Sequence, residues 1–139
     1  MRIGYAMSNP TLIKYLNDAK YAFNSYTMNQ TSLVCGVEAV KDKTYFEKQV
    51  QQIIETREWT KEQLSQLGFT FPDSRSNFIF ATHEIYDAKA IFEALKEADI
   101  YVRHFNGDRI KNYLRITIGT KEEMETLISF LKGYVNQSK

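Results

Sequence analysis

The stretch YLRITIGT, residues 113–120, decides the fold because apolar and polar residues alternate along it. Successive side chains of a β-strand point to opposite faces. The apolar residues, which share one face, are Leu114, Ile116 and Ile118. Arg115 therefore projects from the other face, together with Tyr113 and Thr117. This pattern predicts a strand that packs one face on a core and holds a charged side chain on the other.

The segments around this strand predict an α+β domain. Three more strands are expected over residues 69–71, 77–81 and 100–103. Three helices have capping signals at their starts, which are Thr44 with Glu47, Asp87, and Thr120 with Glu123. The first of these helices is long and ends at Gly68, a residue suited to the left-handed conformation after a helix. The order helix-β-β-α-β-β-α predicts a small antiparallel or mixed sheet of about four strands with helices on one face.

Residues 1–43 have a different pattern. Residues 2–7 predict a short strand, Asn9 and Pro10 begin a helix, and Thr27 with Gln30 begins a second one. The apolar faces of these helices are Leu12, Ile13 and Leu16, and Leu33, Val37 and Val40. A segment of this size cannot build a core of its own. We therefore expect residues 1–43 to be an orphan strand-helix-helix strip of a larger domain, and residues 44–139 to be a separate domain.

The composition is that of a globular protein and excludes several classes. Among 139 residues, 43% are hydrophobic and 25% are charged, and the net charge of +1 argues against a surface for nucleic acid. A single cysteine, Cys35, excludes a disulfide framework and a multi-cysteine zinc site. No apolar run reaches the roughly 18 residues that a membrane span requires. The glycine pattern fits neither a phosphate-binding P-loop nor a dinucleotide fingerprint.

The candidate functional residues are two arginines. Arg115 is either an ordinary exposed arginine near a sheet edge or a rigidly mounted guanidinium that grips a carboxylate through two hydrogen bonds. Arg103 ends the preceding predicted strand, so the two arginines together predict a site for a doubly charged small anion. His83 and His104 have no partner at metal or catalytic-triad spacing and are interpreted as satisfied surface histidines. Cys35, on a predicted helix, is interpreted as a packing residue.

Several segments, in order, resemble one family. They are Arg2-Ile3-Gly4-Tyr5, Arg57-Glu58-Trp59, Leu67-Gly68-Phe69, Asn77-Phe78-Ile79-Phe80, Val102-Arg103 and Leu114-Arg115-Ile116-Thr117-Ile118-Gly119-Thr120. This set resembles the carboxyl-terminal part of the class I/II, fold-type I aminotransferases, and within them the histidinol-phosphate aminotransferases. The resemblance covers essentially the whole chain.

The resemblance implies a role for each arginine. Arg2 matches the arginine that holds the phosphate of pyridoxal phosphate. Arg115 matches the arginine that binds the substrate α-carboxylate, and Arg103 matches the one that contacts the substrate phosphate. Phe23 falls where the family has an aromatic residue near the partner subunit's site, but Ala22 replaces the proline that usually precedes it. The role of Phe23 is therefore left open.

The resemblance also implies what this chain does not contain. The family's Schiff-base lysine precedes the Arg2 position by about eight residues, so we expect a fragment with no catalytic residue and no metal, inactive alone and without bound cofactor. The intact enzyme is expected to be a cytoplasmic homodimer in histidine biosynthesis that uses pyridoxal phosphate, an amino donor carrying a phosphate, and 2-oxoglutarate or glutamate. In the fragment, residues 1–43 are expected to self-associate or swap between chains.

Three alternatives remain. The chain fits an aromatic-amino-acid aminotransferase or a threonine-phosphate decarboxylase of the same family. It also fits a non-catalytic module that binds an anion or mediates assembly. Binding to nucleic acid or to a membrane is not expected.

Overall fold

Nine helices and strands make up the part of the chain that the computed structural model describes, residues 3–137. In chain order they are α1 (Pro10–Phe23), α2 (Gln30–Lys41), α3 (Lys43–Gln66), β1 (Phe69–Thr70), β2 (Phe78–His83), α4 (Ala88–Glu97), β3 (Arg103–His104), β4 (Leu114–Thr117) and α5 (Lys121–Gln137). The chain divides into two units between Lys48 and Gln49, a point that lies within α3.

The second unit contains a four-stranded sheet in the order β1-β2-β4-β3. All three neighbouring pairs are antiparallel. The central pair sets Ile79 of β2 opposite Ile116 of β4, and Phe80 opposite Arg115. The prediction of an α+β domain with a small sheet of about four strands is confirmed, and the sheet has no parallel pair among the described strands.

One face of the sheet packs on the helices of the second unit. The strand residues on this face are Ile79, Ala81, Leu114 and Ile116, and the helix residues against them include Leu64, Ile91, Leu95, Leu127 and Leu131. All of these side chains are buried. The alternation in residues 113–118 therefore places the core where the sequence predicted it, and Arg115 lies on the face away from the helices.

Two helix starts and one helix end follow the predicted capping rules. Asp87 accepts a hydrogen bond from the backbone N–H of Ala90 at the start of α4. Thr120 and Glu123 form a reciprocal capping box at the start of α5. Gly68 after α3 has φ +86°, the left-handed conformation that glycine adopts without strain. These local signals fix where the two helices begin and where the chain leaves α3.

The strand expected over residues 100–103 is shifted, since β3 comprises only Arg103 and His104. The residues before β3 form the carboxyl-terminal end of α4 and the connection from it. Asp99 has φ +58°, and the N–H of Ile100 donates to the Leu95 carbonyl, so this segment closes the helix end instead of pairing with β4. Each outer strand of the sheet, β1 and β3, is two residues long.

The first unit differs from the sequence prediction at three points. Residues 3–7 form no strand, because a strand needs a partner and no described strand pairs with them. The cap of α2 is Asn29, which accepts from the Ser32 N–H, and not Thr27. The cap of α3 is Asp42, which accepts from the Tyr45 N–H, and not Thr44. By contrast, Asn9 caps α1 as predicted.

The helices α1 and α2 have no buried residue. Apolar side chains that lie exposed on them include Leu12, Leu16, Leu33, Val34 and Val37. This confirms the prediction that residues 1–43 do not bury the apolar faces of their two helices in a core of their own. Nowhere in residues 3–137 does a helix combine the length and the hydrophobicity needed to cross a bilayer.

Candidate anion-binding site

Arg115 lies in the middle of the sheet face that is turned away from the helices. Its Cζ atom is 5.6 Å from the ring centre of Phe78 and 5.8 Å from that of Phe105. Its Nε atom is buried and donates a hydrogen bond to no described residue. A buried donor without an acceptor costs about 1–3 kcal/mol, and no described residue offsets this cost at Arg115.

Arg103 lies directly across from Arg115. The pairing of β3 with β4 sets the two residues opposite each other in register, so both side chains are on the same face. The side chain of Arg103 is exposed, and its Cζ atom is 5.3 Å from the ring centre of Phe105. Like charges directly opposite each other destabilise a sheet. An anion between the two guanidinium groups would remove this repulsion.

Four aromatic side chains line the same face. The rings of Phe80 and Tyr113 are stacked, with centres 4.6 Å apart and an angle of 7° between their planes. Phe105 meets Phe80 edge to face at 6.3 Å. With Phe78, these rings surround the arginines with apolar walls, which strengthens an ionic contact by excluding water. We call the six residues Phe78, Phe80, Arg103, Phe105, Tyr113 and Arg115 the arginine-aromatic face.

Arg57 shows what a structural arginine looks like in the same unit. It is 7% exposed. Its Nε donates to Glu58 at 2.9 Å, one terminal nitrogen donates to the Ser76 carbonyl at 3.1 Å, and the other lies 2.9 Å from Glu58. The guanidinium of Arg57 is thus satisfied by the protein, whereas the buried Nε of Arg115 has no acceptor among the described residues. This contrast singles out Arg115 as the arginine that is suited to a ligand.

An ion-pair network lies on α3, outside the arginine-aromatic face. Lys61 donates to Asp73 at 2.8 Å and to Glu58 at 2.9 Å. The hydrogen bonds from Lys61, followed by that from Arg57, lower the pKa of Glu58, and the hydrogen bond from Lys61 lowers the pKa of Asp73. The same bonds, with that to Asp73 the larger cause, raise the pKa of Lys61. Since every member has a partner, this network reads as structural.

Neither histidine belongs to the arginine-aromatic face, and both are hydrogen-bonded to backbone groups. His83 is buried, so its interpretation as a surface residue is wrong; its Nδ1 accepts the Ile85 N–H, which leaves Nε2 to donate to the Leu67 carbonyl at 3.0 Å. His104 is bonded through Nε2 to the Lys111 carbonyl at 2.7 Å. Cys35 is exposed, so its interpretation as a packing residue is wrong. Within the described residues no cluster of side chains is suited to a metal ion.

The structure thus brings together two of the three predicted site residues. Arg103 and Arg115 are neighbours across the sheet, while Arg2 lies outside the described residues. Sequence reasoning missed Phe105. The signal was its position two residues after Arg103, since residues at that spacing in an extended chain share a face. The described residues thus form an α+β domain in which one sheet face carries two opposed arginines among aromatic side chains.

The chain belongs to the aminotransferase class I and II family, which matches residues 1–131. Histidinol-phosphate aminotransferase of Clostridium botulinum (strain Okra / Type B1) is 47% identical over 137 residues, which is 99% of this chain and 39% of that protein. Histidinol-phosphate aminotransferase of Brachyspira hyodysenteriae is 47% identical over 132 residues, which is 95% of this chain and 37% of that protein. The chain therefore spans about two fifths of the length of these curated relatives.

Solved structures share the fold. A protein from Erwinia carotovora atroseptica superposes with a TM-score of 0.85 at 21% identity, over 99% of this chain and 38% of that one. Histidinol-phosphate aminotransferase of Sinorhizobium meliloti, solved with pyridoxal-5'-phosphate, superposes with a TM-score of 0.75 at 20% identity, over 88% of this chain and 34% of that one. At these identities the likeness concerns the fold alone.

Proposed function

We propose that this chain is the part of a histidinol-phosphate aminotransferase that binds the anionic group of the substrate. The reaction moves an amino group between L-histidinol phosphate and 2-oxoglutarate. The observation that carries the proposal is the buried Nε of Arg115, which has no acceptor among the described residues and faces the same side of the sheet as Arg103. Supporting it are relatives of that name at 47% identity.

Each arginine has a proposed role. Arg115 binds the carboxylate of glutamate or 2-oxoglutarate, because a guanidinium presents two parallel donors that match the two oxygens of a carboxylate. Arg103 binds the phosphate of the other substrate, which has no carboxylate. Arg2 is proposed to hold the phosphate of pyridoxal phosphate. The sheet mounts Arg103 and Arg115 rigidly, which orients the substrate.

The described residues do not fit the reactive end of that cofactor. Pyridoxal phosphate supplies an electron sink and needs a lysine with a depressed pKa to hold it. The described lysines are exposed except Lys61, and its hydrogen bonds to Asp73 and Glu58 raise its pKa instead. We therefore propose that this chain alone binds no pyridoxal phosphate and does not transaminate.

Binding of anions to the 139-residue chain tests the proposal. The chain is titrated by calorimetry with L-histidinol phosphate, 2-oxoglutarate, threonine phosphate and phenylalanine, which also separates the three related activities. Arg115→Leu should weaken binding of 2-oxoglutarate, Arg103→Leu should weaken binding of L-histidinol phosphate, and Arg109→Leu, in an exposed turn, is the matched control. Equal binding by wild type and both variants would contradict the proposal.

Kinetics test the role of Arg115 in an active enzyme that contains this sequence. Arg115→Ala should cost about 2–5 kcal/mol of transition-state stabilisation, because it leaves a substrate carboxylate unpaired. The cost is read from kcat/KM with glutamate. Unchanged kinetics would exclude Arg115 from carboxylate binding.

A non-catalytic anion-binding or assembly module is the second candidate. It is favoured by the combination of an anion-suited face with the lack of a suitable lysine among the described residues. Micromolar binding of a dicarboxylate or phosphate by the chain, lost on removal of Arg103 and Arg115, together with no activity in any longer form, would support it.

We further propose that the exposed faces of α1 and α2 associate with another protein surface, either a second domain or a second chain. Exposed apolar patches of this kind mark interaction sites. The intact cytoplasmic enzyme is proposed to be a homodimer, and the isolated chain is proposed to self-associate. Sedimentation velocity should show species larger than a monomer as concentration rises; a monomer at all concentrations would contradict self-association.

A further inference from the structure

Phe105 contacts both arginines of the candidate site. It follows Arg103 by two residues, and its ring centre is 5.3 Å from the Cζ atom of Arg103 and 5.8 Å from that of Arg115. Phe78, in contrast, contacts Arg115 alone of these two. The electron-rich face of an aromatic ring attracts a guanidinium at such distances. One ring therefore acts on both charged groups at once.

The ring of Phe105 is itself held in place. It is half-buried and meets Phe80 edge to face at 6.3 Å, with 65° between the ring planes. Phe80 is stacked on Tyr113 across the β2–β4 pair. A side chain fixed by packed neighbours loses little further entropy when a ligand binds, so the contacts it makes are pre-organised.

We propose that Phe105 is a positioning residue that holds the guanidinium groups of Arg103 and Arg115 close enough to share one anion. The inference rests on the proposed function of these two arginines. Without the ring, repulsion between the two charges moves the exposed side chain of Arg103 away into solvent. Arg115 remains near the sheet through its contact with Phe78.

This arrangement favours binding of a phosphate over binding of a single carboxylate. A phosphate monoester has three non-bridging oxygens, enough to contact both guanidinium groups. A single carboxylate is satisfied by Arg115 alone through a bidentate contact. Phe105 therefore favours the phosphate-bearing substrate over a simple carboxylate, and its removal should affect phosphate binding more.

The experiment compares two substitutions in the 139-residue chain. Phe105→Leu removes the aromatic face but keeps an apolar side chain, and Phe105→Tyr keeps the aromatic face. Phe130→Leu, on α5 and away from the arginine-aromatic face, is the control for a general loss of packing. Inorganic phosphate and acetate are the probes. The second readout is the heteronuclear NOE of the arginine Nε–Hε groups, which reports fast side-chain motion without any ligand.

Phe105→Leu should weaken phosphate binding roughly threefold to tenfold and acetate binding less, as loss of one or two such ring contacts implies. The NOE of Arg103 should fall, while that of Arg57, which is hydrogen-bonded to Glu58, should stay high. Phe105→Tyr should restore both readouts, and Phe130→Leu should change neither.

Unchanged NOE values in Phe105→Leu would overturn the positioning role, whatever the binding result. If wild type binds no phosphate but the NOE of Arg103 falls in Phe105→Leu and recovers in Phe105→Tyr, the positioning role is supported and the proposed anion-binding function fails. Equal loss of phosphate and acetate binding would overturn the selectivity.

Discussion

Replacing Arg115 with methionine should stabilise the chain, although it removes a residue of the candidate site. Methionine has a similar apolar length but no donor and no charge. The change removes a buried donor without an acceptor, worth about 1–3 kcal/mol, and a like-charge repulsion across the strands, worth about 0.2–1 kcal/mol. It loses two contacts with aromatic rings, each worth about 0.5–1 kcal/mol. The difference favours methionine by about 1 kcal/mol.

Urea unfolding followed by far-ultraviolet circular dichroism measures this change. Arg57→Met is the matched control, because Arg57 is equally an arginine of this unit but is satisfied by Glu58 and the Ser76 carbonyl. Its loss should destabilise by about 1–3 kcal/mol, since it removes the hydrogen bonds of a charged group to the half-exposed Glu58 and to the Ser76 carbonyl. Added phosphate should stabilise wild type more than Arg115→Met, because a ligand stabilises the state it binds and the variant keeps only Arg103 of the two arginines.

The result that refutes this reasoning is a loss of stability of 1 kcal/mol or more in Arg115→Met, measured without phosphate. It would mean that the guanidinium of Arg115 holds the sheet together as Arg57 does. The contrast between Arg57 and Arg115, on which the proposed function rests, would then no longer hold.

Two further predictions concern the scaffold. Lys61→Met should lessen the loss of stability at acidic pH. In wild type the pKa values of Asp73 and Glu58 are lowered, so below about pH 4.5 the unfolded chain binds more protons than the folded chain. The free energy of unfolding therefore falls as the pH falls through that range. Chemical unfolding at several pH values measures this fall. Gly68→Ala should destabilise by about 1–3 kcal/mol, because φ is +86° and a Cβ atom would lie 2.9 Å from His83 Nε2. Gly133→Ala should instead stabilise by about 0.5–1 kcal/mol, since this helical glycine has open space around it, and thermal unfolding compares the two.

The pH prediction and the glycine prediction each have a control. Lys89→Met removes an exposed lysine that has no ion pair with a described residue, and it should leave the slope of stability against pH unchanged. An unaltered slope in Lys61→Met would show that the lowered pKa values have another cause. Equal effects of alanine at positions 68 and 133 would contradict the strain at Gly68.

The sequence predicted most of the second unit because its signals are local. Alternation in residues 113–118, the cap Asp87, the Thr120 capping box and the stop at Gly68 each act within a few residues, and each is present. The sheet itself followed from the order of the elements. The antiparallel register, which sets Arg103 opposite Arg115, was not predictable, because it depends on pairing across the fold.

Errors arose where a distant contact overrides a local pattern. Residues 100–102 have strand-like composition, but Ile100 and Val102 pack against the core and the chain is used there to end α4. Residues 3–7 look like a strand yet have no strand beside them among the described residues. His83 is polar by type, yet the carbonyl of Leu67 and two backbone N–H groups satisfy it inside the unit. None of these partners is readable from the neighbouring sequence.

The short outer strands have a consequence for how copies of this chain meet. Each edge strand of the sheet is only two residues long, which is too short to pair stably with a strand from another chain. Polymerisation by strand addition is thereby discouraged. The proposed self-association would then involve the exposed apolar side chains of α1 and α2, and not backbone amide groups of the sheet.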